Sequence, residues 1–187
     1  MPEDLDALFG PSIPAQRTPG RSLAVDDWER GNKPVSFSTL GDESAAPLKR
    51  FMSDVSAGWR VGRTLCFDVL IIWAVDESGE IVFAVEETIE AGAPTGRAKH
   101  QRAEATQRLD KLGHPALVGG GNARIAGEIR LQEAADGRIY WEINNRSGRY
   151  GLEKSRKIEH LSNVKDQFAK FDLTLEPDFV APRDQSI

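Results

Sequence analysis

The sequence predicts an α+β protein: a single curved, mainly antiparallel sheet built from two hairpins, flanked by two or three helices and preceded by an extended N-terminal arm. Three observations predict it. Two pairs of β-rich runs are each joined by a turn, at Asp76-Glu-Ser-Gly79 and at Ala134-Ala-Asp-Gly137. Segments with apolar residues three and four apart, or rich in strong helix formers, lie before, between and after those pairs. The first 45 residues hold Pro2, Pro11, Pro14, Pro19 and Pro34 and sustain neither period.

Taken in order, residues 1–45 read as a flexible arm dotted with Leu5, Leu8, Phe9, Leu23, Val25, Trp28, Val35 and Phe37. Two readings of it stand side by side. It packs onto the domain as a strap, or it docks on a partner, such as a protein target or an immunity or chaperone protein. A single α+β domain follows over 46–180, and 187 residues suit one domain plus a tail. From Pro47, Leu48, Phe51, Met52 and Val55 share one face of a short helix that Gly58 ends. Arg63–Val75 and Glu80–Val85, with their β-branched and aromatic residues, form the first hairpin.

Ala91–Gly96 reads as a loop, and Arg97–Leu112 as a largely exposed helix stopped by Gly113. Ala123–Gln132 and Arg138–Asn144 make the second hairpin. Ser155 caps a last helix over 155–170, on which Ile158, Leu161, Val164 and Phe168 recur at helical spacing, and Phe171–Leu175 reads as a short final strand. Residues 181–187 are a frayed tail behind Pro177 and Pro182.

The net charge of −5 and the pI near 5.3 disfavour a nucleic-acid partner, which needs a broad basic field. Cys66 is the only cysteine, so no intramolecular disulfide and no Cys-rich zinc site can form; it reads as a small buried apolar residue in a reducing compartment. No apolar run reaches the roughly 18 residues of a membrane span, and the N-terminus lacks the pattern of a secretory signal. The expected location is cytoplasmic, compatible with delivery into a target cell by a signal-independent secretion system. Neither a phosphate-binding P-loop nor a dinucleotide fingerprint occurs, and no HExxH or GxSxG motif suggests a metalloprotease or a serine hydrolase. His100 and His160 read as surface residues, and no metal is expected.

Chemistry-bearing residues concentrate in two clusters. In Gly113-His-Pro-Ala-Leu-Val-Gly-Gly-Gly121 a histidine is followed by Gly119, Gly120 and Gly121, which let a backbone approach a ligand closely or simply serve as a flexible connector. In Ile143-Asn-Asn-Arg-Ser-Gly-Arg-Tyr150, Asn144, Asn145, Ser147 and Arg149 offer donors to an anionic or ribose-like ligand, or satisfy their own turn with Tyr150 buried as a cap.

Read in chain order, His114-Pro-Ala-Leu-Val-Gly-Gly-Gly, Ala123-Arg-Ile-Ala-Gly-Glu-Ile129, Asp136-Gly-Arg-Ile139 and the segment ending Ser147-Gly-Arg-Tyr150 resemble a known domain. It is the Ser-Gly-His-Tyr-type domain found at the C-termini of Rhs polymorphic toxins and in plant calmodulin-binding IQ-motif proteins. The resemblance spans about residues 68–177. Pro115-Ala116 stand where that domain has paired serines, Arg149 stands where it has a histidine, and the IQ segment of the plant proteins is not found.

The resemblance, together with a fold analogy to ADP-ribosyltransferases, implies a toxin-like effector enzyme that splits NAD and transfers ADP-ribose to a protein or small molecule. It implies His114, Glu128 and Tyr150 as catalytic residues: His114 holding ribose, Tyr150 stacking on nicotinamide, and Glu128 stabilising the cation that forms as nicotinamide leaves. Gly119, Gly120, Gly121, Asn144, Asn145, Ser147 and Arg149 would then bind substrate. His114, Glu128, Ser147, Arg149 and Tyr150 would share one cleft, with Arg149 beside Glu128 lowering its pKa. Two other readings compete: a non-enzymatic module that grips a protein through the arm and a basic face of Lys154, Arg156, Lys157 and Lys165, and an accessory or antitoxin subunit.

Overall fold

The structure, a computed structural model, describes residues 4–18, 23–58, 60–99 and 110–182, with the side chain of Arg60 excepted. The architecture is mixed α and β. Among these residues a mainly antiparallel six-stranded sheet runs in the order β1-β3-β2-β7-β8-β9, from β1 (Ser38–Thr39), β2 (Ile71–Asp76), β3 (Ile81–Val85), β7 (Ala123–Glu133), β8 (Ile139–Asn144) and β9 (Glu176–Asp178). Beside it stands a three-stranded sheet, β5-β4-β6, from β4 (Glu87–Glu90), β5 (Ala93–Ala98) and β6 (Lys111–Leu112). The expected single sheet is therefore two. Glu86 divides the chain between β3 and β4: its amide bonds the Leu70 carbonyl of the first sheet, while its carbonyl takes the Lys99 amide at the end of the second.

Six helices replace the expected two or three among the described residues: α1 (Leu5–Phe9), α2 (Asp27–Gly31), α3 (Asp42–Ser56), α4 (Arg60–Cys66), α5 (His114–Leu117) and α6 (Ile158–Ala169). The N-terminal segment is thus not simply extended, since it carries α1, α2 and β1. Asp4 caps α1 by accepting from the Asp6 and Ala7 amides. Serine at 44 returns its hydroxyl to the Gly41 amide at the start of α3, and Gly58, at φ 112, follows that helix's end.

Other boundaries move for physical reasons. Arg63–Cys66, expected as strand, is helical in α4 because Gly62 and Cys66, four apart, present one buried face to the core while Val61, Thr64 and Leu65 face out. The expected loop 91–96 is mostly β5: Ala91 and Gly92, both at positive φ, turn the chain, and the Thr88 and Thr95 hydroxyls meet across the strands at 2.8 Å. The expected helix 97–112 is contradicted at both ends by β5 and β6, and its centre, 100–109, lies outside the described residues. The last helix starts at Ile158 rather than Ser155, because Ser155 spends its amide and hydroxyl on Glu153. The final strand is Glu176–Asp178, parallel to β8, not 171–175.

Side-chain alternation divides the large sheet into two faces. One carries Ile71, Trp73, Val75, Phe83, Ile125, Ile129, Leu131 and Ile143 into the main core against α1, α3 and α6, with Phe9, Met52, Leu161 and Phe168 buried there. The opposite face has an apolar half, where Ile72, Ala74, Val82, Ala84 and Ala126 pack against Leu117 and Tyr150. Its other half, on β7 and β8, is polar.

Candidate functional site

The polar half is built by register. Glu128 pairs with Asn144 and Arg130 with Glu142 across β7 and β8, so these four side chains continue the face of Ala126. Glu128 and Glu142 are nearly buried, and Asn144 fully so. The Asn144 amide fixes the patch: its oxygen accepts from the Glu128 and Arg146 backbone amides at 3.2 and 3.0 Å, and its nitrogen donates to Glu142 at 2.9 Å. Arg130 forms an ion pair with the Glu128 carboxylate. Burial pushes the Glu128 carboxyl above its ordinary pKa, and Arg130 offsets only part of that.

His114 enters this face from the β6–α5 junction. Its Nε2–H donates to the Gly127 carbonyl at 2.9 Å, which leaves Nδ1 as the ring's acceptor. Burial lowers its pKa to about 4, so the imidazole is neutral at physiological pH. Around it stand Glu86, Lys111 and Arg149.

Three residues the sequence reading missed complete the layer. Glu86, 1 % exposed, takes the Lys111 ammonium at 2.5 Å and the Lys99 ammonium at 3.4 Å. Burial pushes the Glu86 carboxyl up, but the ammonium groups of Lys111 and Lys99 outweigh it and the net shift is downward. At Lys99 burial wins, and the ammonium is lowered despite Glu86. Glu86 also acts on both His114 and Glu128, which ties the triad to the rest of the patch. The only sequence signal for these residues was a pair of glutamates after a strand, Glu86 and Glu87, with lysines further along the chain at 99 and 111.

The remaining expected residues fall nearby in different roles. Tyr150 is fully buried, and its hydroxyl donates to the Gly121 carbonyl at 2.8 Å. Stacking on nicotinamide needs an open ring face, which this ring lacks. Arg149 was expected beside Glu128, lowering its pKa; instead its guanidinium stands 3.9 Å from both Asp26 and Glu29, and the carboxyl of Glu128 is raised. Ser147 is fully buried, its carbonyl accepting from the Gly151 and Leu152 amides, and its hydroxyl has no partner among the described residues. Asn145 pins the loop to the C-terminal segment, bonding the Gly151 carbonyl and both backbone groups of Val180.

The glycine run is not a cradle of free amides. Gly119, Gly120 and Gly121 donate to Ala116, Pro115 and Val118 carbonyls of the α5 turn, while Gly119 and Gly121 border a surface cleft of about 490 Å³. The expected basic face also breaks up: Arg156 is buried, donating to the Tyr150 and Pro11 carbonyls, and Lys165 pairs with Asp166. His160, expected at the surface, is buried and accepts the Lys157 amide on Nδ1. Cys66 is buried, and burial raises its thiol pKa.

His114, Glu128 and Asn144 are thus brought onto one polar patch, whereas Arg149 and Tyr150 lie on the same side of the sheet with other partners. Among the described residues no group of three or more His, Cys, Asp or Glu side chains is placed to hold a metal ion, and no helix is long and apolar enough to cross a membrane. Comparison with family models, curated proteins and solved structures yields no match for this chain.

Proposed function

We propose that the polar patch is the reaction site of an effector-like enzyme that breaks the nicotinamide–ribose bond of NAD and passes ADP-ribose to a protein or small-molecule acceptor. The observation that carries this reading is the placement of Glu128: a nearly buried carboxylate, held by Arg130, beside the neutral His114 and the Lys111–Glu86–Lys99 cluster. In a water-poor site a fixed carboxylate acts strongly on a cation that develops beside it. As the bond from ribose C1′ to the nicotinamide nitrogen breaks, nicotinamide leaves with the electron pair and C1′ becomes oxocarbenium-like. Glu128 stabilises that charge. The acceptor's lone pair then bonds C1′ and its proton passes to solvent. His114, whose Nδ1 is the ring's acceptor, suits a ribose hydroxyl, and the positive charge of Lys111, Lys99 and Arg130 favours a phosphorylated substrate nearby.

Support also comes from the resemblance to the polymorphic-toxin domain, whose ordered fragments carry both His114 and Glu128. Tyr150 is given a positioning role, tying the 145–151 loop to Gly121. The test is NAD consumption by the purified protein, alone and with a cell lysate as acceptor. Glu128→Gln is expected to lower turnover by about 100-fold or more, and Tyr150→Phe to change kcat only a few-fold. Wild-type protein that leaves NAD intact under both conditions, or undiminished turnover in Glu128→Gln, would discard the reading.

A further inference from the structure

Helix α2 and its flanks, residues 23–33, lie over the end of this face where His114 begins α5. The cover is held by polar contacts more than by apolar burial, since only Val25 and Glu29 in that stretch are buried. Trp28 Nε1 donates to the Lys111 carbonyl at 3.1 Å, and Asn32 donates to the Gly92 carbonyl at 3.1 Å. The Glu29 carboxylate accepts the Gly113 amide at 3.2 Å and the Asp26 amide at 3.0 Å. A five-residue helix has too few internal bonds to persist away from its support, so this cover belongs to the weakly held end of the structure.

Beneath it lies a distinctive charge pattern. Asp26 and Glu29 each hold a carboxylate oxygen 3.9 Å from the same Arg149 nitrogen, and the arginine side chain is only 8 % exposed. Two carboxylates flanking one nearly buried guanidinium reproduce the charge distribution of a phosphate group facing an arginine fork. Both of these distances exceed the charged hydrogen bonds that a phosphate would make with the same nitrogen. Glu29 is 2 % exposed, and keeping its charge out of water is costly.

We propose that α2 is a displaceable cover whose Asp26 and Glu29 stand in for the phosphate of an anionic ligand on Arg149, so that ligand entry and the lifting of residues 23–33 are one event. The inference rests on the nucleotide reading above only for which phosphorylated compound enters. Its physical core is a competition for one guanidinium: the apparent affinity is reduced by the fraction of molecules in which the cover is closed.

The experiment uses the full chain with inorganic pyrophosphate as the probe, read by calorimetry and by hydrogen exchange of residues 23–33. Pyrophosphate is expected to bind and to speed exchange in 23–33, and an Asp26→Asn/Glu29→Gln double variant to bind it about tenfold or more tightly. Arg149→Ala is expected to abolish binding. Should the double variant fail to fold, Trp28→Phe, which removes only the bond to the Lys111 carbonyl, is expected to tighten binding and speed exchange in the same direction. Exchange in 23–33 that stays unchanged at saturating pyrophosphate, binding that survives Arg149→Ala, or no binding in any form overturns the proposal. The two readings fail separately. NAD consumption without any pyrophosphate effect leaves the enzyme and removes the cover, and a pyrophosphate-lifted cover without NAD consumption does the reverse.

Discussion

His114 shows how a single residue links burial to pH. Its folded pKa of about 4 lies below the ordinary 6.5, so the unfolded chain takes up the proton first. The associated stability is fully present above about 6.5 and is lost as pH falls from there toward 4, by an amount of order 3 kcal/mol. Glu86, held low by its lysines, acts in the same direction at lower pH, while Glu29 and Glu128, raised by burial, act against it. The clean measurement is therefore a difference: between pH 7 and pH 4, wild type is expected to lose more stability than His114→Asn. In a titration followed by imidazole NMR, His114 should stay neutral until near pH 4; a midpoint at or above 6 would contradict the buried, carbonyl-bonded ring. At this scale the sequence was informative about which residues are unusual and less so about why. His114 and Glu128 stand out in the sequence through their setting in ordered motifs, whereas the charged groups that act on them, Glu86, Lys111 and Arg130, arrive through strand register and a second sheet.

At the scale of elements, the site depends on the fork where β8 leaves β7. Gly127 lies there because the Asn144 carbonyl and the Asn145 backbone occupy the space a side chain would need, and the Gly127 carbonyl in turn seats His114. Gly127→Ala is expected to destabilise the protein by about 3 kcal/mol or more, since backbone rather than a flexible side chain would have to move. Gly137→Ala, at a turn with φ 82 but open space around it, should cost less, about 1 kcal/mol. Chemical denaturation of the two variants checks the order, and a Gly127→Ala protein as stable as wild type would mean that the strands part more easily than their packing suggests. The β7–β8 pairing was legible because its alternation is sustained and its turn carries Asp136-Gly137. β5 was not: Ala93-Pro-Thr-Gly-Arg-Ala98 contains the two residues most depleted in strands, and only the left-handed turn at Ala91-Gly92 and the Thr88–Thr95 pair make it one. α4 was hidden for the opposite reason, since Val61 and Thr64 favour strand locally and tertiary burial of Gly62 and Cys66 decides otherwise.

Across the whole molecule, the N-terminal segment connects the two faces of the sheet. Phe9 is buried in the main core, the Arg124 guanidinium bonds the Asp6 carboxylate and the Gly10 carbonyl, and Asn163 on α6 donates to the Leu8 carbonyl. Arg156, whose pKa burial lowers to about 10, donates to the Pro11 carbonyl. Ile13 then pairs with Ala123 at the start of β7, the Gln16 amide reaches the Arg149 carbonyl, and residues 23–31 arrive at the polar face. Composition alone could not show this, because the prolines that break its periodicity do not prevent a single apolar residue in each short stretch from finding the core. The consequence is measurable. Phe9→Ala removes a 3 %-exposed ring from the same cluster as Leu161 and Phe168, and large-to-small changes of this kind cost about 3 to 5 kcal/mol. Val35→Ala, at a residue 72 % exposed, should stay within about 0.5 kcal/mol of wild type. If the segment folds with the sheet as one cooperative unit, Phe9→Ala will lower the denaturation midpoint and speed hydrogen exchange in β7 as much as in residues 4–18. If it is instead an add-on, exchange will rise in 4–18 alone while β7 keeps its protection and the global midpoint stays put, and the N-terminal segment would then have no claim to be part of the folding unit that positions His114 and Glu128.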